Sequence, residues 1–115
     1  MAKSKSKPKS PFQGRWQIIS MTEWDEDFMN AEVQAYIEFD AEGRGQFQFC
    51  YVRGDIGYQE CRWDGKPAVE FTWDGTDELD PVSGRGWAVP EGGKLNGVIA
   101  FDDGDESGFV AERAG

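Results

Sequence analysis

The side chains that could do chemistry in this chain are carboxylates, tryptophans and two thiols, and no histidine accompanies them. Without histidine no Ser-His or Cys-His pair can form and no His-bearing metal site exists, which removes most hydrolase machinery. Carboxylates can still work in pairs as acid and base, as in glycoside hydrolysis. Glu60 and Glu70 stand closest to aromatic neighbours, yet their plain reading is a solvent-facing one, so no catalytic residue is assigned. Two sulfurs, Cys50 and Cys61, make a poor zinc site without further Cys or His. The runs Asp74-Gly75-Thr76-Asp77-Glu78-Leu79-Asp80 and Asp102-Asp103-Gly104-Asp105-Glu106 offer oxygen ligands, but neither has EF-hand spacing. Gly84-Arg85-Gly86 is a lone Gly-x-Gly with no helix after it, more suited to a bend in a sheet than to a phosphate. No metal and no cofactor is expected.

The elements that must position these groups read as strands. Short apolar and aromatic runs alternate with polar residues from Gly14 onward, punctuated by Gly, Asp and Pro. Strands are expected at 14–22, 34–39, 45–52, 57–63, 68–73, 84–89, 95–101 and 107–113. Phe47, Phe49 and Tyr51 should face the core, as should Val69, Phe71 and Trp73. Only 23–33 could hold a helix, of a turn or two, with Trp24 and Phe28 inward. Hairpin-sized links at 41–44, 54–56, 64–67 and 91–94 make consecutive strands neighbours, and closure removes the two open edges. The expected fold is all-β, a single small eight-stranded antiparallel up-and-down barrel. A turn centred between Asp55 and Ile56 would set Cys50 opposite Cys61, Phe49 opposite Arg62 and Tyr51 opposite Glu60. The last two pairs would place a charged pair among aromatics, as a small-ligand site needs. The alternative is an outward salt bridge.

The 115 residues fit one domain, with residues 1–11 a basic, disordered tail and 12–115 the barrel. Twelve Lys and Arg oppose 22 Asp and Glu; with four of those lysines in the first nine residues, the body carries 8 − 22 = −14. Such a surface repels phosphate backbones and anionic lipid, so no nucleic acid or membrane partner is expected for the body. Two cysteines, no apolar leader and no long apolar span make a cytoplasmic location with free thiols the expectation.

Gly14-Arg15-Trp16 opening the first strand resembles the Gly-x-Trp signature of the calycins, the lipocalins with their fatty-acid-binding and avidin-like relatives. The resemblance implies a barrel whose end is closed by a basic residue of the last strand, here Arg113, packed over Trp16. The body is shorter than a usual lipocalin, which argues against a deep lipid-sized cavity. A second stretch, Glu70-Phe71-Thr72-Trp73 through Asp80-Pro81-x-Ser83-Gly84-Arg85-Gly86-Trp87-Ala88, resembles a run in small bacterial proteins and implies no function.

In an up-and-down barrel alternate connections share an end. The acid then gathers at one mouth, on connections read as 23–33, 53–56, 74–83 and 102–106. It includes Asp25, Asp27, Asp74, Asp77, Glu78, Asp80, Asp102, Asp103 and Asp105. The sequence therefore points to a non-enzymatic binding module, with Trp24, Trp73, Trp87, Arg62 and Glu60 as candidate ligand contacts near that mouth. The ligand would be small or cationic; the alternative is an adaptor docking a basic protein, and a carboxylate-based enzyme comes third. Simple solubility would also account for acidic loops.

Overall fold

Hairpin follows hairpin along the chain, and in the computed structural model, which describes residues 10–114, the last strand returns to pair with the first. The strands are β1 (Gly14–Met21), β2 (Tyr36–Phe39), β3 (Arg44–Phe49), β4 (Val52–Trp63), β5 (Lys66–Asp77), β6 (Asp80–Glu91), β7 (Lys94–Phe101) and β8 (Glu106–Arg113), with one helix, α1 (Glu26–Met29), after β1. Every neighbouring pair is antiparallel, and the strand order is that of the sequence around a closed barrel. Closure is made by β1 and β8, in register from Trp16 opposite Arg113 to Met21 opposite Phe109, with a bulge between Ile18 and Ser20. No helix among the described residues is long and apolar enough to cross a membrane. The tail expected over residues 1–11 falls, except for Ser10 and Pro11, outside the described residues.

Period-two alternation decides which side chains enter the barrel. Val69, Phe71 and Trp73 point in and are buried, as are Phe47 and Phe49, while Glu70 and Thr72 stay outside. The inside is filled with rings: Phe47 stacks on Phe49 at 5.5 Å, and Trp73 meets Phe47 at 5.0 Å and Phe101 at 5.1 Å edge to face. On β6 the alternation is inverted in size, with Gly84, Gly86 and Ala88 inside and Arg85 and Trp87 outside. The reason is the ring of Phe71, directly opposite Gly86, which occupies the volume a side chain there would need. Gly84-Arg85-Gly86 thus serves packing across the wall.

Three details differ from the sequence reading. The β3–β4 turn is at Cys50 and Tyr51, not at 54–56, so Phe49 faces Val52 and β4 runs unbroken through Gly54, Asp55 and Ile56. Cys61 is consequently opposite Ala68, and the expected pairings Cys50–Cys61, Phe49–Arg62 and Tyr51–Glu60 do not form. Tyr51, in the turn, is exposed rather than inward. The expected long connection 74–83 is a two-residue turn, Glu78-Leu79, between strands continuous to Asp77 and from Asp80. In α1 it is Met29 that is buried, whereas Phe28 is exposed against Tyr51 at 6.0 Å.

Candidate functional site

The closed end is built from both ends of the described chain. Phe12 is fully buried, and its carbonyl accepts the indole N–H of Trp16 at 2.9 Å. The Arg113 guanidinium lies 4.0 Å over the Trp16 ring and donates to the carbonyls of Gln13 and, at 3.0 Å, Pro11. Gly14 has φ of 114°, and a Cβ there would fall 2.7 Å from the guanidinium, so glycine admits both the backbone conformation and the arginine.

At the opposite end the acid is spread along a rim. Asp25 caps α1 by accepting the Phe28 N–H at 2.9 Å, Asp103 accepts from the Asp105 N–H at 3.1 Å, and Asp102 accepts the Ser83 hydroxyl at 2.7 Å. Asp77, Glu78 and Asp80 border the β5–β6 turn, and Asp27 is exposed on α1. Among the described residues no three acidic or thiol side chains converge to hold a metal ion. Asp55 and Asp74 belong to none of the rim's connections and stand directly opposite each other on the exposed outer face of β4 and β5. Cys50, buried beside the rim, has its thiol pushed up to about 11 by burial and by Asp77 and Asp25.

The three candidate tryptophans do not meet. Trp24 is half-buried at the acidic end against Phe49, 5.3 Å away. Trp73 is inside the barrel, its indole N–H donating to the Ala100 carbonyl at 3.2 Å. Trp87 is half-buried on the outer face of β6. Glu60 and Arg62 are exposed near the tip of the β4–β5 hairpin, and Arg62 bonds the Gly65 carbonyl at 2.6 Å, holding the turn. Glu60 lies opposite Val69 and Glu70 opposite Gln59, so the two carboxylates occupy alternate faces of the hairpin and form no acid–base pair.

What does come together is a groove of about 1040 Å³ on the outer face of β5, β6 and β7. The β4–β5 hairpin overshoots both neighbours: pairing with β3 ends at Gly57 and pairing with β6 at Val69. Pro67 and Pro90 lie beyond that last pair and have no N–H to extend the ladder. The freed tip lays Trp63 against Trp87, ring centroids 5.3 Å apart at 58°, and the Trp63 indole N–H donates to Glu70 at 3.2 Å. Ala68, on this outward side, is fully buried yet is no part of the barrel core. Beside this corner lie Thr72 and Arg85, opposite each other, and then Ser83. Burial and the neighbouring Glu70 raise the Cys61 thiol, which makes it a poor nucleophile. An open aromatic corner with one carboxylate attracts cations. Trp63, Glu70 and Arg85 were missed as a group; the available signal was that alternation turns Trp87 and Glu70 to the same outer face.

Compared with known proteins, the chain matches no family model, and no curated protein or solved structure is significantly similar to it.

Proposed function

We propose that this protein is a non-enzymatic binding module that docks a cationic partner on the outside of its barrel. The observation that carries the reading is the Trp63–Trp87 corner with Glu70 on the outer wall of a barrel whose inside is occupied by its own rings. Indole faces beside a carboxylate favour an ammonium or guanidinium over a neutral group. The net charge of −10 adds long-range attraction for such a partner. In this reading the barrel is a calycin-type scaffold, its Arg113–Trp16 closure intact, that works through its wall instead of its lumen.

The test is titration of the protein with a lysine-rich peptide at low salt, followed by tryptophan fluorescence. Binding is expected, and Trp63→Ala should weaken it about 3- to 30-fold, the range of a cation–π contact worth about 0.5–2 kcal/mol. No binding at low salt, or binding indifferent to both Trp63→Ala and Trp87→Ala, would overturn the reading. A second reading, an adaptor docking a basic partner on the acidic rim, is favoured by the carboxylates around the β5–β6 turn. It predicts instead that Asp77→Asn with Glu78→Gln and Asp80→Asn weakens binding more than Trp63→Ala does.

A further inference from the structure

Resting on the outer-wall reading, we propose that the groove accepts an extended peptide segment carrying a cation, then an anion two residues on, then a second cation two residues beyond that. The argument starts from spacing. Outward residues on β5 and β6 form rows two residues apart, Glu70 with Trp87, Thr72 with Arg85, and Asp74 with Ser83. At about 3.3 Å per residue the rows repeat every ~6.6 Å, which is also the interval between same-side side chains of an extended peptide.

The chemistry of the rows alternates. The first combines the two indoles and Glu70 and suits a cation. The second holds Arg85, which is exposed and makes no ion pair among the described residues, whose ion pairs are Arg15–Glu38 and Lys94–Glu112. Its guanidinium suits a carboxylate. The third sets Asp74 directly opposite Ser83, with Asp102 bonded to Ser83 and, like it, lining the groove. Two carboxylates on one row repel, and a cation seated there relieves that cost. A polyamine would bring positive charge to all three rows and meet Arg85 in the middle, so charge complementarity favours the peptide.

The experiment uses two synthetic peptides of the same composition. One places lysine, glutamate and lysine at alternate positions, and the other places them consecutively; tryptophan fluorescence at low salt reads both on the full chain. The alternate peptide should bind about fivefold tighter, the upper end for a single exposed ion pair. Arg85→Glu, a surface change whose folding is checked by circular dichroism, should reverse the preference toward a peptide with lysine at all three alternate positions. Equal affinity for the two spacings, or an unchanged preference in Arg85→Glu, overturns this inference and leaves the outer-wall reading standing. Failure of every lysine-bearing peptide to bind removes both. Spermidine binding as tightly as the alternate peptide identifies a polyamine groove and also overturns the inference.

Discussion

Trp73 and Trp87 lie on adjacent strands of one wall and have opposite fates. Trp73 is 3% exposed, boxed in by Phe47 and Phe101, with its N–H satisfied by a backbone carbonyl. Trp87 faces outward and finds its aromatic neighbour, Trp63, in a hairpin that has left the barrel. Residue type does not separate them; strand parity does. What parity leaves outside becomes an aromatic corner only because a neighbouring element runs past its ladder and folds back.

The comparison breaks most severely at Trp73→Ala, which empties a site that other rings cannot refill. A loss of about 3–5 kcal/mol is expected by urea denaturation, as for large aromatic truncations in cores. Next comes Gly86→Ala, whose new Cβ would meet the Phe71 ring and fall 2.5 Å from the Val98 carbonyl oxygen. Overpacking of this kind costs about 1–3 kcal/mol, and Gly86→Ala with Phe71→Leu should recover part of it. A third effect sharpens the inside from the pH side. Cys50 is raised from 9.0 to about 11 in the folded protein, so between those values the unfolded chain releases a proton that the native state retains. Stability is therefore full below pH 9 and declines as pH rises toward 11, by about 1 kcal/mol at pH 10. Thermal melts of Cys50→Ala against wild type should show a shallower alkaline decline. The smallest change is Trp63→Ala, about 0.5 kcal/mol or less in stability for a side chain 38% exposed, while its effect on binding is the one described above.

Local alternation made much of this fold legible. Val69, Phe71 and Trp73 interleave with Glu70 and Thr72, and that pattern alone assigns the faces of β5. The eight strands and the Arg113–Trp16 contact follow from the same short-range reading with the Gly-x-Trp resemblance added. The turns were harder. Gly54-Asp55 looks like a hairpin, yet the chain turns at Cys50, with φ of 52°, and Tyr51, neither a usual turn residue. That turn is held from a distance, by the Cys50 N–H on the Met29 carbonyl and the Glu78 N–H on the Tyr51 carbonyl. Glu78, with φ of 58°, likewise turns without glycine, so nothing in the sequence distinguishes this tight hairpin from a long acidic loop. The groove was illegible for a related reason: it depends on where the ladders beside Gly57 and Val69 stop, a property of four strands together.

The pairing of β1 with β8 also carries a kinetic consequence. All other strand pairs join neighbours in sequence and can form by closing short loops, whereas Trp16 and Arg113 meet only across nearly the whole domain. Closing so large a loop is entropically unfavourable until the intervening hairpins have shortened it. The seam beside Trp16 is therefore the natural last step of folding.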